Sequence, residues 1–245
     1  MIEITPENFI EYLQNPWEIS KCYSVFHKYS ILNQWLARSQ CLEIWPLNTF
    51  KWWEKLGRHV KKWEHAIAMR MPVIRTEKND DGKEEVVSQF FILKNNWFAY
   101  SQTEWDEYTP EVPWFDFSQI EEKLQVTKVS FDHTDGNCQW FAYERNFAIN
   151  PVAENPMKTM FHELAHILLG HTDKQMADTK NLARDIKEFQ AESVALICAA
   201  TVGQIDELKY SLWYIQNWWI PEELDKKMIE KLFSIANKII SACKA

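Results

Sequence analysis

The feature that most constrains the fold is the segment His162-Glu163-Leu164-Ala165-His166, which is set in a long apolar run. Two histidines four positions apart stand about one turn apart on the same face of an α-helix. Both imidazoles can then reach a single metal ion at about 2.0–2.1 Å. Apolar residues on both sides of the motif favour a buried helix, and Gly170 is suited to end it. The sequence therefore predicts a metal-carrying helix over residues 155–171.

Glu163 follows the first histidine directly, where its carboxylate can orient a water molecule at the metal and accept its proton. The same five-residue pattern also arises by chance in proteins that bind no metal. Three features favour a true site here: the apolar helical context, the strand-like segment Phe147-Ala148-Ile149-Asn150 before it, and a suitable third ligand. The motif therefore indicates metal-dependent hydrolysis.

The third ligand must come from outside the motif. The metzincin pattern would place a histidine at position 172, which is Thr172, and His171 is out of register. The gluzincin pattern uses a glutamate on the next helix, with a carboxylate or amide four residues later. Glu188 and Glu192 have this spacing. We expect Glu188 to bind the ion and Glu192 to accept the remaining N–H of a ligand histidine, which fixes its tautomer.

Two other interpretations of these glutamates stay open at this point. Glu188 can be a solvated helix carboxylate, or the two residues can exchange roles, with Glu192 as the ligand. Two imidazoles, one carboxylate and an open position suit Zn²⁺, and the spacing leaves Mn²⁺ and Fe²⁺ open as well. We expect His171 to be a surface residue or a loose neighbour of the site and not a ligand.

A peptidase of this type also needs a donor for the oxyanion of the tetrahedral intermediate. Tyr210 and Tyr214 follow the predicted Glu188 helix, where such a donor often lies. We predict this role for Tyr214, and the alternative is that it is a core aromatic residue.

The spacing of apolar residues along the chain predicts an α+β fold. We expect a mixed helix/sheet N-terminal domain over residues 1–110 and a mainly helical, gluzincin-like metallopeptidase domain over residues 111–245. The predicted strands are 66–69, 86–93, 97–101, 126–131 and one within 138–149, with turns at 79–82 and 135–137. The predicted helices of the back half are 155–171, 181–202, 205–219 and 222–242.

The formal net charge of −8 excludes a globally basic nucleic-acid binder. Residues 49–75 nevertheless hold seven basic and two acidic residues, a local charge of +5 that leaves −13 for the rest of the chain. Basic and aromatic side chains are interleaved there, as a site for single-stranded DNA needs. The alternative is an amphipathic helix with lysines in solvent and tryptophans in the core. The candidate DNA-binding residues are Lys51, Trp52, Trp53, Lys55, Arg58, Lys61 and Lys62.

Thr49 is suited to begin a short helix that ends near Gly57. Lys51, Lys55, Arg58 and Lys62 would line one face of this helix if it continued past Gly57. The five scattered cysteines include no CxxC pair, which is typical of a reduced, cytoplasmic protein. The acidic N-terminus lacks the apolar run of a signal peptide, and no stretch approaches the roughly 18 apolar residues of a membrane span.

The back half resembles ArdC-type antirestriction proteins and the wider ImmA/IrrE-like zinc peptidases. The front half is similar to the ArdC N-terminal domain, and the likeness spans nearly the whole chain. It departs from the family at Trp63, where the family usually has a glycine. The matching residues are 147–151, Lys158-Thr159, 162–166 and 188–195 in the back half, and Tyr29-Ser30, Asn33-Gln34, 53–62, 66–68 and 98–103 in the front half.

This resemblance implies a single-stranded-DNA-binding domain joined to a metallopeptidase-like domain, on a plasmid, phage or other mobile element. It also implies a protein that protects incoming DNA from host defence. The implied substrate is a protein or peptide, and host-defence proteins are the candidates. Two alternatives stay open. One is a peptidase that cleaves a specific repressor, and the other is a non-catalytic DNA- or protein-binding protein with a structural metal.

Overall fold

The computed structural model of the chain describes residues 3–41, 43–78, 84–132, 140–173, 182–208, 211–212 and 224–244. Its described helices are α1 (Pro6–Leu13), α2 (Pro16–Phe26), α3 (Ile31–Arg38), α4 (Phe50–Lys55), α5 (Ile120–Leu124), α6 (Pro156–Leu169), α7 (Arg184–Thr201) and α8 (Lys226–Ala242). Its strands are β1 (Leu47–Thr49), β2 (Arg58–Val60), β3 (Ile67–Lys78), β4 (Glu84–Ala99), β5 (Thr103–Trp105), β6 (Thr127–Lys128), β7 (Trp140–Tyr143) and β8 (Asn146–Ile149). The predicted α+β class is confirmed.

The chain forms two compact units. The first is Asn33–Glu111, and the second combines Glu3–Leu32 with Val112–Ala245. The domain assignment over residues 1–110 and 111–245 stays a prediction, and the compact units differ from these bounds because Glu3–Leu32 belongs with the second unit. Helices α1 and α2 belong to the second unit, because their apolar faces are buried there. Phe9 of α1, for example, packs edge-on against Phe233 of α8 with ring centroids 5.4 Å apart.

Strands β1, β4 and β3 form an antiparallel sheet in that order in the first unit, and β2 pairs with β5 in a separate antiparallel ribbon. Two side-chain amides satisfy the backbone of β3. The Asn33 amide donates to the Arg70 carbonyl at 2.9 Å and accepts from its N–H at 2.8 Å. The Gln40 amide bonds Ala68 in the same way, at 2.8 and 2.9 Å. These amides therefore take the place of a neighbouring strand at this edge.

The basic segment turns sharply at Gly57 and does not continue as a helix. Helix α4 ends at Lys55, Gly57 adopts φ +73°, and β2 begins one residue later. A Cβ at Gly57 would meet the Asp106 carboxylate, so both the backbone conformation and the available space favour glycine. The predicted short helix ending near Gly57 is confirmed. Because the helix does not continue past Gly57, the basic residues of this described segment do not line one helix face.

Arg58 holds the β2–β5 ribbon together from inside. Its side chain is 3% exposed, and its guanidinium donates to the Thr103 hydroxyl, the Thr103 carbonyl and the Trp105 carbonyl at 2.9, 3.1 and 3.0 Å. It also lies 4.0 Å from the centre of the Tyr100 ring. Charge-assisted hydrogen bonds and cation–π contact therefore offset the burial of a charge.

The second unit contains a small mixed sheet in the order β6-β8-β7, beside a group of helices. Strand β6 runs parallel to β8, and β7 pairs with β8 through a tight hairpin at Glu144, which has φ 50°. The turn predicted at 135–137 lies outside the described residues. The hairpin at Glu144 is a different turn, further along the chain. Helices α6 and α7 pack against each other, and every residue of α7 from Phe189 to Thr201 is buried.

The predicted helices at 155–171, 181–202 and 222–242 are present as α6, α7 and α8. Most of the predicted 205–219 helix lies outside the described residues, and its described start is a 3₁₀ turn at Asp206–Leu208. Within the described ranges, no helix combines the length and apolar character that crossing a membrane requires.

We predict that Arg58→Ala lowers the free energy of unfolding by about 3 kcal/mol, because buried carbonyl acceptors lose their charged donor. Lys55→Ala, at an exposed position in the same segment, should change it by less than about 0.5 kcal/mol. Urea denaturation followed by tryptophan fluorescence measures both. Equal stability of the two variants would contradict the structural role of Arg58.

Candidate functional site

Helix α6 carries the two motif histidines on one face. Pro156 occupies the first turn of the helix, and Gly170 ends it with φ +83°. The His162 and His166 rings lie 4.7 Å apart between centroids, and their Nε2 atoms are 3.0 Å apart. Both Nε2 atoms therefore point toward the same position beside the helix.

Helix α7 brings Glu188 to that position. Its Oε2 atom is 3.3 Å from the Nε2 of His162 and 3.6 Å from the Nε2 of His166. The three atoms form a triangle with edges of 3.0, 3.3 and 3.6 Å. A tetrahedral ion with bonds of about 2.0–2.1 Å has ligand atoms about 3.3–3.4 Å apart. The triangle therefore fits one small divalent cation and leaves a fourth position open.

Glu192, one turn along α7, faces the other side of the first histidine. Its Oε2 atom is 3.1 Å from the Nδ1 of His162, and its Oε1 atom is 2.7 Å from the Nζ of Lys158. This arrangement orients the His162 ring and leaves its Nε2 for the triangle. The geometry therefore favours Glu188 as the ligand and Glu192 as the orienting residue over the exchanged roles.

Glu163 lines a cavity of about 440 Å³ together with His166 and Glu188. Its side chain is 2% exposed, and its Oε1 atom has no hydrogen-bond partner among the described residues. Burial raises the pKa of Glu163 to about 7; the charge of His162 opposes this shift and the charge of Glu188 adds to it. A buried carboxylate that faces a cavity without a partner has the position of a proton acceptor for a bound molecule.

The carboxylates of the cluster stabilise positive charge on the histidines or on a cation bound between them. Burial alone would lower the pKa of His162, but hydrogen bonds with Glu188 and Glu192 raise it to about 9. Hydrogen bonds with His162 and His166 hold the pKa of Glu188 well below its usual range, against the opposing effect of burial. Two ionised carboxylates therefore surround the histidines, and a cation at the triangle would compensate their charge.

The structure brings His171 into the site, where the sequence analysis expected a surface residue or a loose neighbour. Its Nδ1 atom lies 2.9 Å from the Nδ1 of His166. Burial lowers the pKa of His171 to about 4, although its hydrogen bond with Gln190 opposes the shift. The sequence signal for this position is Gly170, because a left-handed residue at a helix end folds the next residue back over the last turn.

Lys158 is a second residue to which the sequence analysis gave no role. It lies one turn before His162 on α6, where it pairs with Glu192. The predicted oxyanion donor Tyr214, together with Tyr210, lies outside the described residues. Its role stays a prediction.

The seven candidate DNA-binding residues divide by exposure. Trp53 is fully buried, and Arg58 uses its guanidinium within the protein, so neither is available to nucleic acid in this structure. Trp52 is half-buried and packs edge-on against Trp53 and Tyr108. Four lysines remain exposed at the surface of the first unit: Lys51, Lys55, Lys61 and Lys62.

Two exposed tryptophans of the same unit are not among these seven residues. Trp63 is 90% exposed and Trp105 is 71% exposed. Both have positive φ, 71° and 94° respectively, in the region that favours glycine. Trp63 follows the Lys61-Lys62 pair directly, and Trp105 stands opposite Arg58 in the β2–β5 ribbon. A strained, exposed aromatic residue directly after two exposed lysines, as at Trp63, is an observation that a binding role would account for.

Comparisons with known proteins identify a shared fold. No family model and no curated protein matches this chain. The Mn(II)-bound crystal structure of the antirestriction ArdC protein from plasmid R388 matches with a TM-score of 0.52 and 16% identity, covering 97% of this chain and 96% of that chain. The metal-free structure of the same protein gives a TM-score of 0.47 and 16% identity over 87% and 82% of the two chains. The Mn(II)-bound structure shows that the α+β fold has a counterpart over nearly the whole chain.

We predict that Glu188→Ala weakens zinc binding far more than Glu192→Ala does. The first change removes an atom of the triangle, whereas the loss of an orienting partner typically costs about 10–100-fold in affinity. Titration against a competing zinc chelator measures both, with circular dichroism to verify folding. The reverse order of affinities would exchange the two roles.

Proposed function

We propose that this chain is an ArdC-like antirestriction protein of a mobile element, with a zinc peptidase site in its second unit and a single-stranded-DNA surface on its first. The observation that carries the enzymatic part is the triangle of Nε2, Nε2 and Oε2 atoms together with the buried carboxylate of Glu163, whose Oε1 atom has no hydrogen-bond partner in the part of the chain that the structure describes. The antirestriction part rests on the likeness to the R388 protein. The cytoplasmic location stays a prediction.

The residues of the cluster have complementary chemical roles. A divalent cation held by His162, His166 and Glu188 would supply Lewis-acid polarisation of a carbonyl and would acidify water. Glu163 would accept the proton of the attacking water and return it to the leaving amine. Glu192 would hold the ring of His162 in place through its Nδ1 atom.

The cavity beside Glu163 suits an extended peptide. Trp140, Phe141 and Ala142 of β7 line it together with Glu163 and Glu188. Among the described strands, β7 has β8 as its one partner, so its other edge can pair with a substrate backbone. Pairing of this kind would place a peptide bond next to the Glu163 carboxylate.

The position of Glu163 also discriminates among the alternatives. A purely structural metal site needs no buried carboxylate that lines a cavity without a hydrogen-bond partner. This disfavours a non-catalytic protein with a structural metal. A peptidase that cleaves a specific repressor would use the same chemistry, and it differs only in its protein substrate.

The first unit supports the DNA-binding part through its exposed lysines and tryptophans. Phosphates attract lysines, and any base can stack on an exposed indole. Lys61, Lys62 and Trp63 are consecutive and exposed. The revised candidate surface comprises Lys51, Lys55, Lys61, Lys62, Trp63 and Trp105, and it leaves out Trp53 and Arg58.

We predict that Glu163→Gln keeps zinc but loses hydrolysis of fluorescent casein or pooled fluorogenic peptides by about 10²–10⁴-fold, because it removes the base and retains the ligands. Zinc content and cleavage rate are measured on the same preparation. Glu122→Gln, an exposed position with the same change of charge, is the matched control. Cleavage by Glu163→Gln at the wild-type rate would refute the catalytic role.

We predict that the full chain binds a single-stranded oligonucleotide even after chelation of divalent metals, because the candidate surface lies in the first unit. Lys61→Glu/Lys62→Glu should weaken binding and reduce the slope of log affinity against log salt by about 1.4, since each lost phosphate contact removes about 0.7. Fluorescence anisotropy at several salt concentrations measures this.

The matched control for this experiment is Lys226→Glu/Lys227→Glu, which applies the same charge change to an adjacent, exposed pair in the second unit. It should leave the affinity close to that of the wild type. Equal losses in both double variants would mean that net charge alone governs binding. Absence of binding at low salt would remove the DNA-binding part of the proposal.

A further inference from the structure

The end of α6 places His171 against the second motif histidine. Gly170 takes the left-handed conformation, and the His171 N–H donates to the His166 carbonyl at 2.9 Å. This bond from the residue after the left-handed glycine is the main feature of a Schellman helix end. This bond therefore fixes the backbone of His171 over the last turn of α6.

A side-chain amide on α7 determines which nitrogen of His171 carries the proton. The Gln190 side chain is 4% exposed, and its Nε2 lies 3.3 Å from the Sδ of Met228. A thioether sulfur can only accept, so the amide nitrogen faces Met228 and the amide oxygen faces His171. That oxygen, 2.9 Å from the Nε2 of His171, can only accept. The His171 proton therefore resides on Nε2.

The same reasoning extends to the motif histidine. With its proton on Nε2, a neutral His171 presents a lone pair at Nδ1, which is 2.9 Å from the Nδ1 of His166. A hydrogen bond at this distance requires His166 to donate from Nδ1. Its Nε2 then carries a lone pair directed at the triangle with His162 and Glu188. The tautomer of His166 that can bind a metal is therefore determined by residues that are not themselves ligands.

We propose that His171, Gln190 and Met228 form a neutral positioning relay that holds His166 in its metal-binding tautomer. The proposal rests on the metal site of the proposed function and adds positioning residues to it. The relay contrasts with the one behind His162, where a carboxylate accepts the Nδ1 proton and Lys158 balances its charge. One ligand histidine thus has an ionic partner and the other has a neutral partner.

The first test measures zinc affinity of the full-length chain by chelator competition. His171→Ala should bind zinc about 10–100-fold more weakly than the wild type. His171→Asn should recover part of this loss, because its side-chain oxygen can stand near the former Nδ1 and accept from His166. His65→Ala, which removes an exposed histidine of the first unit, should leave the affinity unchanged.

The second test reads the tautomers directly by ¹⁵N NMR of the histidine rings in the metal-free chain, because zinc at Nε2 of His166 would by itself leave the proton on Nδ1. We expect protons on Nδ1 of His166 and on Nε2 of His171. Gln190→Leu removes the acceptor for His171, so the His171 signals should shift toward the other tautomer. A proton on Nδ1 of His171 in the wild-type protein would overturn the relay, even if the substituted variants fail to fold.

The outcomes separate this inference from the proposed function. If the wild type binds no zinc at the cluster, both fail. If the wild type binds zinc and a folded His171→Ala variant binds it equally well, the relay fails and the peptidase proposal stands. A weaker His171→Ala variant that His171→Asn does not improve would assign His171 a packing role and overturn the relay.

Discussion

The packing of α6 against α7 creates the cluster on which the rest of the site depends. Each helix carries two polar side chains four residues apart, so each presents them on one face. The histidines of α6 and the glutamates of α7 meet across the helix interface, with Glu188 on the Nε2 side and Glu192 on the Nδ1 side of His162. One helix pair therefore supplies both the triangle of ligand atoms and the group that orients the first ring.

The burial of α7 makes its carboxylate and amide side chains costly unless they have hydrogen-bond partners. Gln190 and Glu192 both lie in the part of α7 that is fully enclosed, and a buried polar atom without a hydrogen bond costs free energy. Glu192 contacts His162 and Lys158, and Gln190 contacts His171 and Met228. Glu163 is different, because its Oε1 atom has no such partner among the described residues and the residue lines the cavity. A substrate or water there would complete its hydrogen bonding.

The motif and the α+β class could be predicted from the sequence, because helix periodicity and i,i+4 spacing are local properties. The spacing of Glu188 and Glu192 likewise suggested their separate positions. The contact between His166 and His171 was not predicted, although Gly170 is a signal for it, because i,i+4 spacing does not describe how the chain folds back after a left-handed residue. Spacing alone also did not predict the internal contacts of Arg58. It is basic and lies among lysines, but the turn at Gly57 directs it into the β2–β5 ribbon, where its donors bind backbone carbonyls.

The exposed tryptophans of the first unit could not be recognised from composition, and their unusual backbone conformation identifies them. The sequence contains thirteen tryptophans, and Trp53 is fully buried, as large apolar side chains often are. Trp63 and Trp105 are instead exposed in a backbone conformation that disfavours their side chains. Their exposure depends on turns that sequence periodicity does not describe.

The most direct test of the central claim is anomalous diffraction at the zinc edge from crystals of the zinc-loaded chain. A single strong peak should lie about 2.0–2.1 Å from the Nε2 atoms of both His162 and His166 and at a similar distance from a Glu188 oxygen. Glu163 should lie close to it without ligating it. A peak elsewhere, or one whose carboxylate ligand is Glu192 or Glu163 in place of Glu188, would contradict the account.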